Sequence, residues 1–297
     1  MPSEVRIRVP ASCANLGPGF DSLGLALDLW NEVQFRAGPA TSYHVRGEGA
    51  RTLNLRPANL LTRAMAALYE VCGQPMGGVE VNADNKILLS SGLGSSAAAI
   101  VAGLFGANEL LDRPLSVDDL LRLAAEIEGH PDNAAPALLG GLVVSATTED
   151  DILVRRYELP PLTAVVVKPD VYWPTHLARR VLPVSVSRAD AVFNISRTAL
   201  VIDALRRGDL ELLRKVMEDR LHQSYRLERI PAGQQAYEAA RAYGAAALCG
   251  AGPSIIVFLE PGRARGALEA VRSVFVAAGI QARGLVVQAT NRGVEVL

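Results

Sequence analysis

Residues 92–104 read GLGSSAAAIVAGL, two glycines and two hydroxyls followed by a run of small and apolar side chains. Glycine lets a backbone approach a ligand closely, and the free N–H groups and positive potential of a helix N-terminus attract an anion. Gly92, Leu93, Gly94, Ser95, Ser96 and Ala97 are therefore candidates for a polyphosphate cradle. A plain glycine turn with Ser95 as an ordinary N-cap would give the same local pattern. No lysine follows the glycines, so the segment is neither a GxxxxGK(S/T) phosphate loop nor a GxGxxG dinucleotide fingerprint.

Glycine is also concentrated with polar groups in ANLGPGFDSLGLAL at 14–27, EGHPDNAAPALLGG at 128–141 and CGAGPS at 249–254, and Arg is gathered with hydroxyls and His in PTHLARRVLP at 174–183 and HQSYRLERIP at 222–231. GLGSSAAA resembles the phosphate-binding motif of the GHMP kinases, and the segments at 14–27 and 128–141 resemble those members of the family that phosphorylate homoserine. The motifs occur in the family's order, and the resemblance covers residues 10–254. The chain departs from the family pattern at Leu88, Ser91, Ser224 and Cys249.

The resemblance implies an α/β (α+β) two-domain GHMP kinase fold. Its ribosomal-protein-S5-like N-terminal nucleotide domain would span residues 1–160 and its ferredoxin-like C-terminal domain residues 161–297, with substrate between them. It implies ATP and Mg2+ as cofactors and L-homoserine as the partner substrate, phosphorylated on its hydroxyl to O-phospho-L-homoserine in threonine biosynthesis. Phosphoryl transfer to an alcohol needs alignment and neutralised charge more than covalent chemistry, and the implied roles supply both.

Ser96 and Glu126 match the family's Mg2+ ligands, a hydroxyl and a carboxylate suited to a hard cation that keeps some waters; Glu128 is a competing choice for the carboxylate. Asn15 and Asp21 match contacts to the amino acid, although either could be a turn former beside glycine. Arg179 and Arg226 match the carboxylate binders, Thr175 a pocket hydroxyl one helical turn before Arg179, and His130 and Gly252 further substrate contacts. Asn133 stands where related sugar and mevalonate kinases place a catalytic Asp. Asparagine cannot take a proton, so the implied mechanism has no strong side-chain base, and Asp132 is read as a helix cap rather than that base.

The elements that must position these groups are legible in outline. Strands are expected at 5–9, 33–35, 79–81, 142–146, 152–159 and 164–167, with the glycine-rich segment at 14–24 as a loop. Asn59 starts one helix, Ser95 another, and Ser116 with Asp119 forms a capping-box pattern for a third ending at Gly129; Asp132 would cap a short helix to Leu139. Helices dominate residues 175–242. Two further strands at 246–248 and 255–259, a helix at 263–278 and a strand at 283–288 fit a ferredoxin-like unit.

With 297 residues, 49% of them hydrophobic, the chain can bury a core for one or two domains. Thirty basic against 31 acidic residues leave no footprint for nucleic acid or an anionic membrane, and no apolar run is long enough to span a bilayer. The residues MPSEVRIRVP lack the apolar stretch of a secretion signal, so a cytoplasmic location is expected. Cys13, Cys72 and Cys249 fit neither a disulfide framework nor a zinc set. A homodimer is compatible with all of this. The alternatives within the same fold are a mevalonate-type or sugar kinase, and a non-catalytic nucleotide-dependent sensor.

Overall fold

The alternating segment after Ser3 forms β1 (Glu4–Ala14), and the chain turns straight back into the long β2 (Leu23–Gly38) in this computed structural model, which describes residues 3–54, 59–149 and 151–297. The expected loop at 14–24 is thus shorter than its glycines suggest, because Leu23, Leu25 and Leu27 are already core residues of β2. Pro10 sits in β1 at a register shift between Pro10 and Ala11, where a missing N–H costs no ladder bond.

Next come β3 (Ser42–Gly47), α1 (Ala50–Leu53), α2 (Leu60–Val71) and β4 (Gly78–Asn85). β3 was not expected, since only Val45 of its six residues is buried and no alternation marks it. Asn59 and Ser116 each complete a capping box, at α2 and at α4 (Val117–Glu128), worth about 1 kcal/mol apiece. Between these two helices runs α3 (Ser95–Leu110), apolar all round and buried along nearly its whole length. After α5 (Pro131–Leu139) come β5 (Leu142–Thr147) and β6 (Ile152–Tyr157). The expected cap Asp132 is a correction: His130 is the N-cap residue of α5 and Asp132 lies inside its first turn, behind Pro131, whose fixed φ already suits that position.

The link from β6 to β7 (Thr163–Pro169) carries the chain from one sheet to another. Five helices follow, α6 (Thr175–Arg180), α7 (Arg188–Arg207), α8 (Leu210–Val216), α9 (Gln223–Leu227) and α10 (Gly233–Arg241), then β8 (Ala245–Leu248), β9 (Ile255–Phe258), α11 (Ala264–Ala277) and β10 (Ala282–Gln288). The second sheet has order β10-β7-β9-β8 with every pairing antiparallel, the ferredoxin-like arrangement. The final strand β11 (Glu295–Val296) returns to the first sheet, whose order is β11-β1-β2-β4-β3 with β5 and β6 continuing from β2. One apolar core runs from that sheet under α3 and α5 to the inner face of β7 and β9, and a second lies between the other face, α10 and α11. Among the described residues no helix is long and apolar enough to cross a membrane.

α5 carries several candidate site residues and rests on β2 through Gly24, where an added Cβ would collide with the Asp132 carbonyl and the Pro136 ring. Gly24→Ala is expected to cost about 3 kcal/mol in urea unfolding, because backbone rather than a flexible tip must give way. Gly73→Ala, with nothing within 4 Å of the new methyl but a φ of 63°, should cost only about 1 kcal/mol.

Candidate active site

Gly94 occupies the N-cap of α3, and no side chain caps the helix. Ser95 is its first helical residue, so the ordinary-cap alternative does not hold. The first-turn N–H groups and the positive end of a 16-residue helix are left open. Gly92, Gly94, Ser95 and Ser96 line a cavity of about 530 Å³; the side chains of Leu93 and Ala97 are buried in the core, so these two can offer a ligand only backbone. Ser91, one of the departures from the family pattern, shapes the turn: its Oγ donates to the Leu88 carbonyl at 2.6 Å and accepts from Leu93 N–H at 3.1 Å.

The carboxylate beside this helix end is Glu128. Ser96 Oγ donates to Glu128 Oε2 at 2.7 Å, and both line the cavity. Glu126, the expected metal ligand, is exposed and does not line it. Helical phase is the reason: α4 buries Leu120, Leu121, Ala124 and Ala125, and residue 128 continues that stripe whereas residue 126 lies on the opposite face. Burial pushes the Glu128 carboxyl above its ordinary value, with the Ser96 hydrogen bond opposing.

Asn133 reaches the same cavity from the first turn of α5, its Oδ1 accepting from Ser12 Oγ at 3.0 Å. Asp132 is 3% exposed and lies 2.5 Å from His130 Nδ1, a hydrogen bond that raises the imidazole pKa above its ordinary value.

The opposite wall gathers the remaining expected residues. Asp21 and Arg179 bind each other through two bonds, Nη1 to Oδ2 at 2.9 Å and Nη2 to Oδ1 at 3.1 Å. Arg226 is 2% exposed; its Nε donates to Ala178 O at 3.2 Å, and Nη1 to Gly250 O at 3.0 Å and His222 Nδ1 at 3.1 Å. Burial, then the nearby Arg179 charge, lowers its pKa to about 10. His222 is neutral with its proton on Nε2, which donates to Gly17 O at 2.9 Å; burial lowers its pKa. Thr175 lines the cavity as the first residue of α6, after the N-cap Pro174, and Gly252 lines it beside Trp173, whose indole N–H holds Ala251 O at 2.9 Å. Asn15 also lines it, but its amide is engaged by the protein, Nδ2 donating to Gly250 O at 2.8 Å and Oδ1 accepting from Asp21 N–H at 3.0 Å. One N–H and one lone pair of this amide remain beyond those two bonds.

Two contributors escaped the sequence reading, Ser12 and the place of Asn59 in the site. Ser12 lies within a plain strand, while Glu128, already the competing carboxylate, required only the phase of α4. Asn59 was recognised as a cap, yet its Nδ2 is buried without a partner among the described residues, and the residue lines the cavity with Tyr43, Leu53 and Leu60. An orphan donor in an apolar slot is what a heteroaromatic acceptor would satisfy.

The profile of the GHMP kinases N terminal domain matches residues 59–141, and that of the GHMP kinases C terminal matches residues 201–277. A homoserine kinase of Moorella thermoacetica is 42% identical over 98% of this chain and 99% of its own length, and one of Desulfitobacterium hafniense is 40% identical over 99% and 100%. The chain belongs to the homoserine kinases of the GHMP family. The crystal structure of homoserine kinase from Cytophaga hutchinsonii superposes with a TM-score of 0.87 at 30% identity, covering 100% of this chain and 98% of that one. A mevalonate kinase structure at 15% identity, with a TM-score of 0.70 over 97% of this chain and 100% of that one, shares the fold alone.

Within this GHMP kinase the two glutamates separate by experiment. Glu128→Gln is expected to lower turnover by about 2 to 4 kcal/mol of transition-state stabilisation and Glu126→Gln to leave it near wild type, measured at saturating Mg2+. The raised Glu128 pKa also has a sign in stability. The folded state holds this proton more tightly than the unfolded chain, so its contribution is complete at low pH and is lost as pH rises above 4.5 towards the folded value. Without Mg2+, the Tm of Glu128→Gln relative to wild type should therefore climb as pH rises through that window.

Proposed function

We propose that the protein transfers the γ-phosphate of ATP to the side-chain hydroxyl of L-homoserine, giving O-phospho-L-homoserine and ADP. One observation carries the reading: the uncapped N-terminus of α3 shares a single cavity with a carboxylate and two guanidinium groups arranged for an amino acid. The base would lie towards Asn59, the phosphates over Gly92, Gly94, Ser95 and Ser96, and homoserine against Asp21, Arg179, Arg226 and Thr175. A carboxylate and two guanidinium groups on one wall suit a zwitterion better than a sugar, which favours homoserine over the other acceptors this fold takes. The setting of such a reaction would be the cytoplasm.

Ser96 and Glu128 would hold Mg2+. Among the described residues no three His, Cys, Asp or Glu side chains cluster for a metal, and one hydroxyl with one carboxylate fits a cation that completes its shell with water and nucleotide phosphate. Bound there, Mg2+ neutralises phosphate charge. The α3 N–H groups stabilise the transferred phosphoryl oxygens. The homoserine oxygen forms the new bond to phosphorus as the bond to the ADP oxygen breaks. Asn133, its Oδ1 already held by Ser12, keeps the acceptor in line through Nδ2 and cannot take the proton, while Asp132 is occupied by His130. The hydroxyl proton leaves on the transferred phosphoryl group.

An ADP-release assay with homoserine, serine, mevalonate and galactose tests the reading: homoserine should be preferred, and preference for another acceptor or binding without turnover would overturn it. Asp132→Asn should retain most of kcat and Asn133→Ala should lose about ten-fold or more while staying folded by circular dichroism. Collapse of the folded Asp132→Asn enzyme across pH 6 to 9 would make Asp132 the proton acceptor (roughly the range in which such a base titrates).

A further inference from the structure

The two groups best placed to receive the charged ends of an amino acid are already bound to each other. Asp21 follows β1 and Arg179 lies in the last turn of α6, so the bidentate pair joins the two halves of the chain across the cavity. Their side chains are 37% and 39% exposed, so the pair can open without baring a buried charge. Arg226 differs: three acceptors fix its Nε and Nη1, leaving Nη2 towards the cavity without a protein partner among the described residues. One guanidinium is anchored and the other is committed to an internal carboxylate. The Arg179 guanidinium sits 5.9 Å from the Phe20 ring and that of Arg226 5.3 Å from it, so both cations border one aromatic side chain.

We propose that Asp21–Arg179 is a charge latch which a zwitterion opens by exchange, a reading that rests on the amino-acid acceptor proposed above. The ligand ammonium replaces the guanidinium at Asp21, while the ligand carboxylate replaces Asp21 at Arg179 and bridges to Nη2 of Arg226. Two ion pairs then stand where one stood. A ligand with a carboxylate alone must break the latch and leave Asp21 unpaired, and a ligand with an ammonium alone leaves Arg179 unpaired beside Arg226. Because both half-ligands pay for the same broken pair, the latch makes the two charges cooperative and selects zwitterions over acids and amines of the same length.

Removing one side of the latch should therefore improve binding of the half-ligand that needs the other side. Asp21→Asn is the suitable variant, since Asp21 has φ 53° and asparagine adopts that conformation readily. Calorimetry would compare L-homoserine, γ-hydroxybutyrate, which lacks the ammonium, and propanolamine, which lacks the carboxylate. In Asp21→Asn, γ-hydroxybutyrate should bind about five-fold more tightly than to wild type, the range of one exposed ion pair, while homoserine weakens about ten-fold. Arg179→Gln should show the mirror image, with propanolamine gaining. If wild type turns over homoserine but γ-hydroxybutyrate binds Asp21→Asn no better than wild type, the pair stays closed around substrate and the latch is wrong. If wild type neither binds nor phosphorylates homoserine, the functional reading itself fails.

Discussion

Three glycine-bearing loops from distant parts of the chain are held against one another by backbone, and the site depends on that contact. Gly92 has φ 81° and presses so closely on the Cys249 carbonyl that no Cβ would fit. Ser12 N–H donates to Leu93 O at 3.1 Å, Gly250 N–H to Ala14 O at 3.2 Å, and Ser254 N–H to Ser91 O at 3.3 Å. The Gly250 carbonyl then collects Asn15 from one side and Arg226 from the other. Side-chain packing at such a junction would keep the loops further apart, and phosphate end and amino-acid end would no longer face a single cavity.

Around that junction the charges are graded by burial. The Asp219 side chain is fully buried and its carboxylate accepts from Asn194 Nδ2 at 2.7 Å and from the backbone N–H groups of Leu221, His222 and Gln223 at 3.1, 2.8 and 2.7 Å. That fixes the start of α9, so that His222 can orient Arg226 one turn later. Removing any member would leave a buried polar group without a partner, a cost several times that of an exposed pair. The rigid guanidinium is thus built in from behind, while Asp21 and Arg179, open to water, remain exchangeable.

The order of strands and helices was largely legible from local signals, whereas the two-domain fold and the candidate site residues came from the resemblance of the motifs. Capping boxes at Asn59 and Ser116, the glycine turn before α3, and the strand-helix order of the last third all lie in short stretches where one physical rule dominates. What escaped needed either phase or partners. Glu128 and Glu126 are two residues apart and chemically identical, and only the buried stripe of α4 tells them apart. Asp132 looks like a cap until Pro131 and His130 are seen to occupy the helix start. Asn15 and Asp21 looked equivalent, yet one is absorbed by Gly250 and the other by Arg179, residues more than 150 positions away in both cases. The sequence pattern names such residues; only the tertiary fold decides whether a polar group meets ligand or protein.

The return of β11 to the first sheet has a bearing on how the chain is made. β1 pairs with β2 early in synthesis, but its other edge is covered by Glu295 and Val296, and Leu297 N–H bonds to Arg6 O at 2.8 Å. Thr290 likewise joins Ala26 and Gly141 through its backbone, and Asn291 ties down both ends of Leu159. On a ribosome the first sheet can therefore collapse but not close until residues 295–297 have emerged. During that interval β1 offers an open edge to neighbouring nascent chains, and the charged residues Glu4, Arg6 and Arg8 that alternate along it are the kind that discourage such pairing.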